Sequence, residues 1–242
     1  MKTRYCLLMR ATSPALFVAA AFMLNTTAIA QAPAGSLWYN GDFNGVNGFS
    51  NERNTTISQC GVYDNFTGPS SGTMWDVTAV FSDNLENTMI TGADWEIRTG
   101  VSAGNGGTLV ASGTTGVPTV TPTGRSGFGF TEFMVEVTGL NIMLPALAAG
   151  QFYWLNVTPI GNGSGRSFIS LTSGMNCVGT PCGNDGNSFF NSTFFGAYFS
   201  GPGNVDYSMG VIGAVIPEPA TVALLTCGVG ALLIALRRRR SP

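Results

Sequence analysis

The chain has 242 residues, no histidine and a formal net charge of −2. Residues 31–216 carry twelve acidic side chains against only Arg53, Arg98, Arg125 and Arg166, a net of −8, and contain no lysine. The missing histidine excludes Ser-His-Asp and Cys-His catalysis and every histidine metal site, and an acidic, lysine-free surface excludes nucleic acid, whose phosphates need a basic face.

The chain opens with Lys2, Arg4 and Arg10, an apolar run over 15–24, and then Ala28-Ile29-Ala30. A basic start, a short apolar core and small residues at −3 and −1 predict a secretory signal peptide over 1–30, cleaved after Ala30. Cys6 precedes the apolar run instead of ending it, so it does not mark a lipoprotein.

Residues 31–213 read as one ectodomain, long enough for a substantial core. In "MWDVTAVF" Trp75, Val77, Ala79 and Phe81 alternate with Asp76 and Thr78. In "DWEIR" Trp95 and Ile97 alternate with Asp94, Glu96 and Arg98, and in "TEFMVEV" Phe133, Val135 and Val137 alternate with Glu132 and Glu136. This is the period of a half-buried strand. "QFYWLNVTPI" is more continuously apolar, as for a strand covered on both faces. Between these runs, "SAGNGG", "SGTTG", "GNGSGRS" and "GNDGNS" carry turn chemistry. Short strands, short turns and no soluble helix predict an all-β fold, an antiparallel β-sandwich with a jelly-roll-like plan.

Chemistry-bearing patterns are sparse. Glu132 and Glu136 share a strand face about 13 Å apart at about 3.3 Å per residue, beyond the roughly 5–9.5 Å that paired glycosidase carboxylates span. They read as solvated carboxylates; cross-strand pairs involving Glu96 stay open. No catalytic residue, metal site or resident cofactor is assigned. Calcium is the one small ion the loops suit, through Asp42, Asn44, Asn47 and Glu52 or through Asn184 and Asp185. Neither loop has EF-hand spacing, and both read first as turns. Cys177 and Cys182 bracket "VGTP" and can bridge in an oxidising compartment, while Cys60 shares parity with Val62 and reads as a buried apolar residue. Trp75, Trp95 and Trp154 fit core positions, whereas Trp38, Tyr39 and Tyr207 are the aromatic residues that an exposed sugar-stacking face would use.

Residues 214–242 form a second targeting segment. Pro217-Glu218-Pro219 precedes seventeen uncharged residues, 220–236, and then Arg237, Arg238, Arg239 and Arg240. The apolar run makes about 25 Å of helix, at the short end for a hydrocarbon core of roughly 30 Å, and the arginine cluster stops transfer on the cytoplasmic side. The prolines favour extended backbone, so "AVIPEPA" reads as a short linker that presents Glu218 at the membrane.

This order of motif, apolar helix and arginines resembles the PEP-CTERM sorting signal. The resemblance implies a Gram-negative-type bacterium that makes exopolysaccharide. It also implies export across the inner membrane, a membrane-anchored intermediate, and processing by exosortase toward the cell surface or extracellular matrix. The segments "NGVNGFSNE", "WEIRTGVSAGNGGTLVASG" and "GNDGNSFFNS" are similar to ectodomains attached to this signal, which implies a fold more than an activity. Three functions stay open: a noncatalytic structural or weakly glycan-contacting sandwich, which leads, a dedicated carbohydrate-binding module, and a glycoside hydrolase. The expected partners are exosortase and the inner membrane during sorting, and extracellular polysaccharide afterwards.

Overall fold

A computed structural model of the protein describes residues 32–54, 56–201 and 203–219. The expected signal peptide, the apolar segment 220–236 and Arg237 to Arg240 lie outside the described residues. Fourteen strands follow one another. The first seven are β1 (Ser36–Tyr39), β2 (Phe43–Ser50), β3 (Glu52–Asn54), β4 (Gln59–Phe66), β5 (Thr73–Glu86), β6 (Met89–Thr99) and β7 (Thr108–Thr115). Then come β8 (Thr119–Gly127), β9 (Phe130–Pro145), β10 (Tyr153–Asn162), β11 (Ser167–Thr172), β12 (Ser188–Ser192), β13 (Ala197–Ser200) and β14 (Met209–Pro217).

The described residues are all-β, as their alternation requires, and their strands form two seven-stranded sheets. In the first sheet β5 is central. β9 and then β8 lie along one edge, while β14 and β11 share the other and lead out to β1 and β2. In the second, β10 has β6 and β7 on one side and β3, β4, β12 and β13 on the other. Every pairing of named strands is antiparallel except the short parallel contact of β3 with β10.

The sheets face each other across one sandwich-like core. Its centre is Phe66, fully buried on β4, which stacks on Trp38 of β1 and Trp75 of β5 with centroids 5.2 and 5.9 Å away. Tyr153 of β10 closes the stack at 5.4 Å and donates its hydroxyl to the Pro145 carbonyl at 2.8 Å. Such pairs add specific geometry to a large apolar burial. β10 is buried along almost its whole length, as its continuous apolar run predicts.

The "MWDVTAVF" alternation holds only halfway. Trp75 and Val77 face the core, but the next core residue is Val80, not Ala79. The reason is a bulge. Ile212 and Gly213 of β14 are consecutive, yet they pair with Ala79 and Val77, so Thr78 is an extra residue that inverts the parity. Ala79 and Phe81 are buried on the opposite face, where the Phe81 ring occupies the space a Cβ on Gly210 would need, 2.5 Å from Phe81 Cζ. The same inversion turns Ser82 and Asn84 inward, where Asn84 accepts from Asn51 Nδ2 at 3.1 Å. Asn51 Nδ2 and Ser82 Oγ both donate to the Val157 carbonyl, at 2.8 and 3.2 Å.

The expected linker is also corrected. β14 runs to Pro217, with Ile216 opposite Met74 and Pro217 opposite Thr73, so a boundary at 213 falls inside a strand. Proline ends this strand, where its missing N–H interrupts nothing, and the Glu218 N–H donates to the Gly72 carbonyl at 3.0 Å. The motif therefore begins on the sheet itself.

Candidate functional site

The outer face of the second sheet carries a polar concavity. Register sets it. Thr114, Asp94 and Thr158 form one cross-strand row, and Ser112, Glu96 and Asn156 the next, so these side chains share a face. Trp95 and Ile97 turn to the core between them, as the "DWEIR" pattern predicts, and so does Ala93 just before it. The rows continue to Gly61 and Tyr63 of β4 and Asn191 of β12. Gly61 leaves room for the Asn156 amide, since a Cβ there would lie 2.8 Å from Asn156 Nδ2. The resulting groove holds about 460 Å³.

Its charges are internally paired. Arg53 Nη2 donates to Asp94 Oδ1 at 3.1 Å, and Thr114 Oγ1 donates to the same oxygen at 2.5 Å. Arg98 Nε and the Tyr63 hydroxyl both donate to Glu96 Oε2, at 2.5 and 2.9 Å. Burial, and then the Glu96 carboxylate, push the Tyr63 hydroxyl well above its ordinary value, so it stays a neutral donor. Arg98 also lies over the Tyr63 and Phe199 rings, 5.9 and 5.6 Å from their centroids. Asp94 and Glu96 stand two residues apart on one strand face, about 6.6 Å along it.

The aromatic platform is not where the sequence pointed. Trp38, Tyr39 and Tyr207 are 0%, 2% and 0% exposed, so none can stack on a ligand. Exposed rings instead cluster at the turn between β12 and β13, with Phe194 and Phe195 on the turn and Tyr198 on β13 being 62%, 53% and 62% exposed. Phe194 lines a shallow hollow with Gln59 and Thr193, and those two residues also line the groove. Trp75 and Trp95 belong to the inter-sheet core, but Trp154 does not: it packs with Tyr63, Val101 and Phe199 in a separate cluster on the outer face.

Other sequence-derived sites disperse. Asp42 and Glu52 go to different arginines, Arg125 and Arg166, and Asn44 Oδ1 accepts the Val46 and Asn47 N–H groups of its own turn. These residues do not converge on an ion. Glu132 is not a solvated carboxylate: it is fully buried and pairs with Arg125, while Glu136 is half-buried. Arg125 Nη2 also reaches Asp83 Oδ2 at 3.1 Å, and Nη1 lies 2.9 Å from Asp42 Oδ1, an ion pair without hydrogen-bond alignment. The signal for part of this cluster was readable, because "RSGFGFTE" puts opposite charges symmetrically about a glycine-rich turn. Cys177 and Cys182 are bonded, with Cα atoms 5.6 Å apart, and Cys60 is a buried free thiol.

Comparison of the chain with family models, with curated proteins and with solved structures finds no match.

Proposed function

We propose that this chain is an exported, exosortase-sorted protein of the cell surface or exopolysaccharide matrix, with a noncatalytic sandwich that contacts glycan weakly. The observation that carries the contact is the groove of hydroxyls, amides and arginine-paired carboxylates on the second sheet. Sugar hydroxyls can exchange hydrogen bonds with all of these groups, and Phe194 beside the groove offers an apolar face to a pyranose ring. The sorting half rests on Pro217-Glu218-Pro219, the apolar segment 220–236 and the arginine cluster. A jelly-roll-like plan is supported by the pairing of the first strand with the last and by repeated crossing of the chain between sheets.

A glycan-array screen of the exported protein tests the contact. Phe194→Ala should weaken any bound glycan by about 1 kcal/mol, roughly fivefold, with an unchanged melting midpoint because the ring is exposed. An array without signal above background leaves the sandwich with no glycan role.

Glu218→Ala tests the sorting. The Glu218 contact to the sheet is made by its backbone N–H, so the variant keeps the strand end and changes only the carboxylate. In a host with exosortase the processed form should fall at least tenfold while the precursor stays in the membrane fraction. Identical fractionation of wild type and variant would reduce the tail to an anchor.

A further inference from the structure

One end of the sandwich gathers carboxylates that no arginine serves. Asp64 and Asn65 lie near the end of β4, Asp185 lies in the loop before β12, and Asp206 lies just before β14. Asp64 is committed to protein donors: Oδ2 accepts from Asn40 Nδ2 at 3.0 Å and the Tyr207 N–H at 2.7 Å, and Oδ1 accepts from the Asn65 N–H at 2.8 Å. Asp206 is different. Its Oδ2 accepts the N–H groups of Asp185 and Gly186, but its Oδ1 is buried with no partner. Asn65 shows the same half-use, because Nδ2 donates to Asp185 Oδ2 at 3.0 Å while Oδ1 is buried with no partner.

Both residues are 0% exposed, so water does not readily compensate these oxygens. Nor does a protein cation. The arginines of the described residues pair with Asp94, with Glu96, with the Asp42, Asp83 and Glu132 group, and with Glu52. Uncompensated carboxylates buried together are expensive, and Asp185 at the rim meets both residues: its Oδ2 accepts from Asn65 Nδ2 and its N–H donates to Asp206 Oδ2, while its Oδ1 accepts the Asn187 N–H.

We propose that Asp206 Oδ1, Asn65 Oδ1 and the Asp185 carboxylate hold one calcium ion, with Asp64 adding charge from behind. Among the described residues no three His, Cys, Asp or Glu side chains are placed to hold an ion by themselves; the proposed set has two carboxylates, which the amide oxygen and water complete. All-oxygen, irregular coordination with amide and water ligands is what calcium accepts, whereas magnesium demands near-octahedral geometry. Of the two loops with calcium-like composition, the one at Asn184 and Asp185 meets buried acceptors that no arginine serves, whereas Asp42 and Glu52 of the other pair with Arg125 and Arg166. Asn184 Oδ1 is occupied by the Asp206 N–H at 2.8 Å and serves the loop rather than the ion.

The test uses the exported protein freed of divalent ions with EGTA. Calcium at about 100-fold over Kd should raise the melting midpoint by roughly 5–10 °C, and magnesium at the same concentration should not. Terbium, a calcium substitute, should give emission sensitised by Tyr207, the residue after Asp206, and calcium should displace it. Asp206→Asn and Asp185→Asn should each weaken calcium at least tenfold, while Asp94→Asn in the groove should leave it unchanged. If Asp206→Asn does not fold, Asp185→Asn decides alone, since Asp185 is exposed. A wild-type midpoint equal in calcium and EGTA, an equal response to magnesium, or wild-type affinity in Asp185→Asn would overturn the site.

Discussion

Arg125→Met should lower the unfolding free energy by about 3–5 kcal/mol near neutral pH. The methionine keeps most of the apolar stem and removes the only cation among the described residues that pairs with Asp42, Asp83 and Glu132. Glu132 would keep the hydroxyl donors Ser170 Oγ and Thr123 Oγ1, each at 2.5 Å, and Asp83 would keep Ser208 Oγ at 2.7 Å. Hydroxyls can solvate these carboxylates but cannot neutralise them. Burial, and then the Glu132 charge, already raise Asp83 above the usual carboxylate range even with Arg125 present. A raised folded value means stability present in acid and lost as pH rises through that value. Removing the arginine raises it further, so the deficit of the variant should shrink between about pH 8 and pH 5 as Asp83 takes up a proton. Urea unfolding at both ends of that range checks it. A loss below about 1 kcal/mol, or one equal at both pH values, would mean that Arg125 acts through packing and that the cluster carries little electrostatic weight.

What the sequence disclosed, and what it hid, follows from how far apart the deciding residues lie. "DWEIR" was legible because the pattern needs only its own five residues, and Trp95 and Ile97 do face the core. "MWDVTAVF" misled from Thr78 onward, since a bulge is a property of the pairing with β14, more than 130 residues away, and leaves no mark in local alternation. Trp38, Tyr39 and Tyr207 sit among polar and glycine residues that read as surface. They are buried because distant segments cover them: Trp38 Nε1 donates to the Pro181 carbonyl, and Tyr39 exchanges backbone hydrogen bonds with Val178. The groove was half legible. Asp94 and Glu96 were assigned to the outward face, but Asn156, Thr158 and Gly61 join them only through strand order, which composition does not encode. "AVIPEPA" looked like a linker because proline is a poor strand former, and only the register shows that Pro217 takes the one strand position, the end, where this does not matter.

Glu86→Gln should make the protein more stable above about pH 8, by on the order of 3–5 kcal/mol, and leave it nearly unchanged near pH 4.5. Glu86 closes β5 on the inward face created by the bulge, and it is 5% exposed. Ser167 Oγ donates to its Oε1 at 2.5 Å, but Oε2 is buried with no partner, and Arg166, which precedes Ser167, is engaged by Glu52. Burial, opposed in part by the Ser167 bond and reinforced by the Glu52 charge, pushes Glu86 up to about 8. Its ordinary value is about 4.5. The folded state therefore keeps a proton that the unfolded chain has released between those two values, and each pH unit of rise removes about 1.4 kcal/mol from stability. Below about pH 4.5 both states are protonated and the full stability is present. Glutamine mimics the protonated carboxyl and never ionises, so it removes this slope. Asp83 adds a slope of the same sign to both proteins, which is why the informative quantity is the difference between two denaturation series and not either curve alone. Parallel curves for wild type and Glu86→Gln across pH 5–8 would mean that Glu86 is charged in the folded protein and that water or a bound cation reaches Oε2.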